Sequence, residues 1–259
     1  LTEKNNMQPQ LKTETAPRFS IGLARNITEV RLAQRLRYQV FAGELGARVP
    51  GHEQGIDCDV YDAWCDHLIV REASSDTVVG TYRLLTGPQA DRIGGFCSDT
   101  EFNLGSFDDI RHHIVEAGRA CVHPDYRNGP VLPLLWGGVI SYAHRHGFHY
   151  LIGCASIPLD DGGHTAAAAY ETLNRTCMSP LHFRVRPRIA APLPRVPDRA
   201  IPLPALLKGY QKLGAYVCGE PAFDADFGSA DLLMLLPLEN LDHPFGRRMC
   251  KTIRHAQVH

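Results

Sequence analysis

Apolar positions follow two rhythms along this chain, short alternating or continuous runs and stretches with three- and four-residue spacing, and the two predict different elements. Phe19 to Ala24 alternates and reads as a first strand. Thr28 caps a following helix in which Ala33, Leu36 and Val40 recur at helical spacing beside Leu32 and Phe41. Gly43 to Asp66 reads as an acidic loop region. Two strand-like runs follow, His67 to Glu72 and Thr77 to Leu85, joined by Ala-Ser-Ser-Asp. Residues 86–113 look irregular. Ile114 to Val122 reads as a strand, and a turn then leads into a helix over about 131–146 that Gly147 ends. His149 to Ser156 is strand-like and a helix is expected at about 164–175. Six of the 18 prolines fall between 187 and 204, and beyond them come a helix at 203–213 and strand-like runs at 215–222 and 230–236. Strands that lead, with helices inserted between some of them, predict one α/β domain over 19–240. A polar, aperiodic tail at 1–18 precedes it and a basic segment at 241–259 follows.

Composition narrows the function classes. The chain has 259 residues, with Lys+Arg 27 against Asp+Glu 28, so no global basic field exists for a nucleic-acid partner. The longest apolar stretch, Val131 to Ile140, is broken by Pro133 and falls short of the ~20 residues of a spanning helix. The first residues lack the apolar centre of a signal peptide, and a soluble, cytoplasmic protein is expected. The 8 cysteines include no C-x-x-C pair, and Cys121, Cys154 and Cys218 sit in apolar stretches. They are expected to be small buried hydrophobes of a reducing compartment, in neither a zinc site nor disulfides.

Candidate chemistry concentrates between Glu116 and Pro130. A strand ends, Tyr-Arg-Asn-Gly turns, and a helix starts at once, which aims backbone N–H groups and the positive helix end at an anion above them. An ordinary strand-to-helix turn is the alternative. The order strand, V-x-P-x-Y-R, helix, strand, then Ala166 to Leu173 resembles the GNAT superfamily of acyl-CoA-dependent N-acyltransferases. The resemblance implies a central mixed sheet with helices on both faces. It also implies donor contacts from Val122, Arg127, Asn128 and Gly129, and a Tyr170 that protonates the departing thiolate. Pro130 stands at the first glycine position of that superfamily's pyrophosphate loop, where it removes an N–H and fixes φ. An acyl carrier protein, with one phosphodiester on its pantetheine arm, needs less of that loop.

Arg37, Phe41, Asp59, Asp62, Arg83, Glu116 and Arg119 resemble the charged series of acyl-homoserine-lactone synthases. Ala47 stands where that family has a Trp, a departure that bears on its S-adenosylmethionine-type acceptor. RYQVFAGELGA, CDHLIV, EAGRACVHPDYRNG, LLWGG, YLIGCASIPL, LLKGYQKLGAYVCGEPAFD and ADLLMLLPL together resemble the bacterial ornithine lipid-forming N-acyltransferases. That resemblance implies transfer of a 3-hydroxyacyl chain from acyl carrier protein to an amino acid's α-amine, ornithine being favoured. Acyl carrier protein and the amino acid are then the partners, and neither a metal nor a tightly bound organic cofactor is implied.

Amide formation requires the amine to lose a proton before it attacks, and Glu116 is a carboxylate suited to accept it. A structural ion pair of Glu116 with Arg119 or Arg83 is the competing assignment. Arg37, Arg83 and Arg119 are candidates for holding substrate, the last two by clamping the acceptor's carboxylate. Asp59 and Asp62 are candidates for receiving a cationic side chain, unless they belong to a solvated acidic loop. Tyr170 either donates a proton or packs on the neighbouring strand. Alternation sets Arg184, Arg186 and Arg188 on one side of an extended segment, where they suit an acidic carrier protein, an anionic headgroup or a plain charged edge. Leu241, Phe245 and Met249 recur every four residues among Arg247, Arg248, Lys251 and Arg254, as a basic amphipathic helix on an anionic membrane or as a disordered tail. His144, His146 and His149 share no helix face and are not expected to bind metal. Two rival classes remain, an acyl-homoserine-lactone synthase-like enzyme and a non-catalytic module binding acyl carrier protein or membrane.

Overall fold

The computed structural model describes residues 18–196 and 201–242. Its strands are β1 (Phe19–Leu23), β2 (Asp66–Glu72), β3 (Val78–Thr86), β4 (Phe102–Asn103), β5 (Ile114–Val122), β6 (Tyr150–Pro158), β7 (Arg186–Pro187), β8 (Tyr216–Val217), β9 (Ala222–Asp224) and β10 (Ser229–Pro237). Its helices are α1 (Ile27–Tyr38), α2 (Gly87–Ile93), α3 (Val131–Arg145), α4 (His164–Thr176) and α5 (Ala205–Leu213). The main sheet runs β1-β2-β3-β5-β6-β10-β8, with β9 also on β10, and β4 and β7 form a separate pair. β5 and β6 are parallel and the other pairings are antiparallel, so the sheet is mixed as expected.

Helices cover both faces. On one, α3 packs Leu135, Val139 and Ile140 into a core with Leu68, Val70, Tyr82 and Leu84. On the other, α1 sets Ala33 and Leu36 against Ile69, Val78 and Cys121. Every residue of β3 is buried, because this central strand is covered above and below. Gly138 allows the closest approach of α3: a Cβ there would lie 2.6 Å from Ile21 and 2.7 Å from Leu68.

Three local expectations are corrected. The cap of α1 is Asn26, whose side chain accepts from the Glu29 amide at 3.1 Å, so the helix begins before Thr28. Residues 86–113 contain α2, opened by Thr86 and Gln89 in reciprocal capping with Pro88 inside the first turn, where its missing N–H costs nothing. The run 215–222 is not one strand but the short β8, after which the chain turns into β9. The polar tail falls on residues 1–17 outside the described part, as does the basic segment from 243 onward.

Two irregularities shape the middle of the sheet. Thr81 pairs with Cys121 and Arg83 with Gly118, so β5 carries one extra residue, a bulge at which Arg119 takes φ +50°. β5 and β6 pair only from Ile114 to Glu116 and from Tyr150 to Ile152. Beyond that, β5 stays on β3 and β6 stays on β10, and the sheet opens as a wedge between them.

Replacing Gly138 by Val should destabilise the fold by about 1–3 kcal/mol through overpacking against β1 and β2. Urea unfolding measures this, and an unchanged midpoint would mean that α3 can lift away from the sheet at no cost.

Candidate active site

Three guanidinium groups and three carboxylates meet on the α1 side of the wedge. Arg37, fully buried on α1, donates from Nε to Asp57 at 2.8 Å and from Nη2 to both the Asp57 carbonyl at 2.5 Å and Asp62 at 2.6 Å. Arg83 on β3 reaches Asp59 at 2.6 Å and Asp62 at 3.2 Å. Arg119 lies 3.3 Å from Asp57 and 3.5 Å from Asp59, with its guanidinium over the Phe227 ring. Asp57 and Asp62 are therefore buried members of a neutralised cluster and not part of a solvated acidic loop. The neighbouring guanidiniums overcome burial and hold Asp62 at about 2. His67 closes the cluster with Nε2 3.0 Å from the Asp62 carbonyl, and burial keeps its pKa below the ordinary value. Asp59 and Asp62 are thus committed to arginines of the chain itself. Arg119 is the most exposed of the three arginines.

Glu116 forms no ion pair with Arg83 or Arg119. Its carboxylate accepts the Cys97 amide at 2.7 Å, the Ser98 amide at 2.8 Å and the Ser98 hydroxyl. Burial raises its pKa, while these donors and the nearby Arg83 pull the other way. Glu116 thereby anchors the helical turn Cys97–Thr100, and the next residue, Glu101, stands at the end of that turn.

Glu101 belongs to a group that the sequence reading missed. Its carboxylate, the Cys154 sulfur and the Asp231 carboxylate lie within 4.8 Å of one another. Cys154 and Asp231 come from β6 and β10, and Asp231 accepts from Ser229 at 2.7 Å and Ser156 at 3.0 Å. Burial first and the facing Asp231 second raise Glu101 to about 8, and burial likewise lifts Asp231 to about 6. Among the described residues these three atoms also have the spacing of a metal-ligand set. One signal in the sequence pointed here: Asp231 interrupts an otherwise apolar strand.

The donor-side candidates make no hydrogen bond or ion pair with these groups. Arg127 is fastened to Glu44 by two contacts of 2.5 and 2.6 Å, and its Nε donates to the Val122 carbonyl. Gly129 bonds its amide back to Tyr126, and exposed Asn128 lies in the same turn. Pro130 caps α3 without a side-chain bond, and Pro133 removes a further N–H from its first turn. Tyr170 lines a groove of about 420 Å³ with Glu171, Asn174, Glu220 and the 190–196 segment. That groove shares no lining residue with the charged cluster. Arg184, Arg186 and Arg188 are exposed around buried Val185, and the Arg188 side chain donates to the Asp99 carbonyl at 2.7 Å.

On the opposite face, a cavity of about 60 Å³ begins where the wedge opens, at Ala117 and Gly153. It continues between Tyr82, Trp136, Val139, Tyr210 and Leu236. A Cβ on Gly153 would lie 2.5 Å from the Ala117 carbonyl, so only glycine lets the two strands meet at this point.

A carboxyl group whose pKa is raised on folding stabilises the fold while it is protonated, and that contribution is lost as pH climbs through the raised value. The thermal midpoint of Glu101→Gln relative to the parent should therefore rise by a few degrees between pH 5 and pH 9. A difference that stays flat across this range would show that Glu101 ionises as it does in water.

Residues 36–137 match the model of the acetyltransferase (GNAT) domain. The L-ornithine N(alpha)-acyltransferase of Rhizobium meliloti is 36% identical over 235 residues, covering 83% of this chain and 79% of that protein. The enzyme of the same name from Rhodobacter capsulatus is 35% identical over 236 residues, covering 84% and 89%. In fold, the chain is similar to the CoA-dependent acyl-homoserine lactone synthase BjaI, with a TM-score of 0.55 at 15% identity over 93% of this chain and 92% of that one. It is similar also to FeeM, an N-acyl amino acid synthase from uncultured soil microbes, with a TM-score of 0.53 at 12% identity over 92% and 98%. The mixed sheet is thus of GNAT type, and the chain is an acyltransferase that belongs to the L-ornithine N(alpha)-acyltransferase family.

Proposed function

We propose that the protein moves a long 3-hydroxyacyl chain from the thioester of acyl carrier protein to the α-amine of ornithine, releasing an N-acyl ornithine lyso-lipid. The observation that carries this is the wedge, which has a charged cluster on one side and an apolar cavity on the other. Past Glu116, β5 has β3 on one edge and no strand on the other. Its unpaired amides and carbonyls there suit an extended pantetheine arm, bound as a strand would be. The thioester carbonyl then sits beside the bulge, the acyl chain enters the cavity, and the amino acid approaches from the charged side. The relatives' names supply the acceptor.

Arg119, the half-open member of the cluster, is assigned to the acceptor's carboxylate, with Arg37 and Arg83 holding the carboxylates that position it. The amine nitrogen attacks the thioester carbon, a C–N bond forms and the C–S bond breaks. One proton of the ammonium goes to a carboxylate and on to solvent, and a second passes to the departing thiolate. Amide, thiol and one proton are the products. Glu116, saturated by three donors, suits anchoring; Glu101, with a pKa near the working pH, suits accepting the proton. Tyr170 is assigned no step, because its groove touches neither the cluster nor the cavity.

Carrier protein is favoured over CoA because Pro130, Pro133 and the Arg127–Glu44 pair leave little to hold a pyrophosphate. Arg184, Arg186 and Arg188 offer an exposed basic row to an acidic carrier. No helix among the described residues is long and apolar enough to cross a membrane. Arg247, Arg248, Lys251 and Arg254 make the segment after 242 suited to the surface of an anionic bilayer, where a lyso-lipid product would partition.

Purified protein should convert ornithine and a 3-hydroxyacyl carrier thioester into N-acyl ornithine, identified by mass spectrometry, with kcat/KM far above that of the matched CoA thioester. Equal use of both donors would overturn the donor assignment, and a different acylated amino acid would overturn the acceptor. Glu101→Gln should lower kcat by about 10²–10⁴-fold and remove the limb of the pH profile that falls toward acid. If Glu116→Gln removes that limb and Glu101→Gln leaves it in place, the two carboxylates exchange roles.

A further inference from the structure

The cavity behind the wedge contains polar atoms that its apolar lining does not require. The Tyr82 hydroxyl lies 3.2 Å from the Tyr210 hydroxyl. Burial raises the pKa of both, so each keeps its proton. The Trp136 ring stacks on Tyr210, with centroids 5.2 Å apart and planes 22° from parallel. Its buried indole N–H faces the Tyr82 hydroxyl without meeting it in a well-formed hydrogen bond. Gly209 makes room for this ring, since a Cβ there would run into it. The remaining lining includes Ala117, Val139, Ile140, Leu151, Leu213 and Leu236.

A buried donor without an acceptor is costly, and native interiors rarely keep one unless something fills the gap. When one tyrosine hydroxyl donates to the other, the second still has its own proton to place. Two donors, the indole N–H and that second O–H, therefore converge with tyrosine oxygen lone pairs in one small space. A methylene chain satisfies none of them. A ketone oxygen accepts but returns no proton. A hydroxyl group accepts from the donors and gives its own hydrogen to a tyrosine oxygen.

Position along the chain follows from the same lining. Ala117 and Gly153 mark both the opening of the wedge and the near end of the cavity, so the carbons that follow the thioester enter first. Tyr82 also immediately precedes Arg83 on β3. Successive side chains of a strand face opposite sides, which sets the polar trio one residue from the charged cluster.

We propose that Trp136, Tyr82 and Tyr210 are specificity-determining residues that recognise a hydroxyl on the acyl chain close to its thioester. This rests on the acyl transfer proposed above and adds to it the side chains that select the donor. A site built to hydrogen-bond a substrate hydroxyl penalises the analogue that lacks it, because its own polar groups are left unpaired.

Steady-state kinetics with ornithine should use three carrier thioesters of equal length: unsubstituted, 3-hydroxylated, and hydroxylated near the far end. The parent should favour the 3-hydroxyacyl donor by about tenfold or more in kcat/KM over both others. Trp136→Phe and Tyr82→Phe should bring that ratio close to one. An independent readout uses the indole resonances of the 2 tryptophans in nitrogen-15 spectra. N-(3-hydroxyacyl)ornithine should move the Trp136 signal downfield, and the unsubstituted product should not. A parent ratio near one, variants that keep the ratio, a preference for the far-end hydroxyl, or equal indole shifts with both products would each overturn the proposal. In the last case ordered water satisfies the trio. Absence of turnover with all three donors would instead overturn the acyl-transfer function itself.

Discussion

Burying Arg37 is the constraint on which the site depends. An uncompensated guanidinium inside a protein costs several kcal/mol, and breaking a buried pair leaves the other charge stranded. Arg37 escapes this only because the chain between Asp57 and Asp62 folds back onto α1 and presents two carboxylates and a carbonyl to it. Those carboxylates in turn hold Arg83 and Arg119, so α1, the 57–62 turn, β3 and the bulge of β5 are locked together electrostatically. Three positive and three negative groups cancel, which is why so much charge can be kept behind one face of the sheet. Asp62 shows how far this reaches, staying ionised down to about 2 in spite of its burial.

The same sheet supplies the contrast that a transferase of this kind needs. Beyond the parallel pairing of Ile114–Glu116 with Tyr150–Ile152, the central strands part, and each keeps its outer partner. The opening is therefore bordered on each side by a paired strand. Arg83 and Tyr82, adjacent on β3, face the charged and the apolar compartments, and Arg119 takes a positive φ where the bulge redirects it to the aspartates. Backbone strain of this sort persists only when surrounding contacts over-determine it, and here two carboxylates and the Phe227 ring hold the side chain.

Elements with long, regular patterns were legible in the chain itself. β5, α3, β6, α4 and β10 fall within a residue or two of where periodicity put them, because the apolar period and the fold agree there. α2 was hidden by its Gly-Pro opening, which reads as a turn although proline is well suited to a first helical turn. The run of acids from Glu53 to Asp66 resembled a solvated loop because sequence spacing does not reveal that an arginine on a preceding helix descends among them. The charged series itself was legible through its family resemblance, and the structure brings Arg37, Asp59, Asp62, Arg83 and Arg119 together. Glu101 and Asp231 were not, since they meet only when β10 pairs with β6 and Glu116 fixes the turn before Glu101. Tyr170 kept its helix, but its side chain lines a different groove.

The donor side follows a different balance of forces. A helix start binds phosphate through free amides and a positive end, and both Pro130 and Pro133 subtract from that supply. Arg127 could add charge there, yet it is held by Glu44 from the helical turn that continues α1. A small phosphorylated carrier would have to draw its affinity from this weakened loop. A protein carrier has another source, the complementarity of two folded surfaces, and the exposed basic row at Arg184, Arg186 and Arg188 is available for it. What the structure does show in this loop is a structural tie, since Arg127 joins the turn before α3 to the Gln39–Glu44 turn next to the arginine cluster.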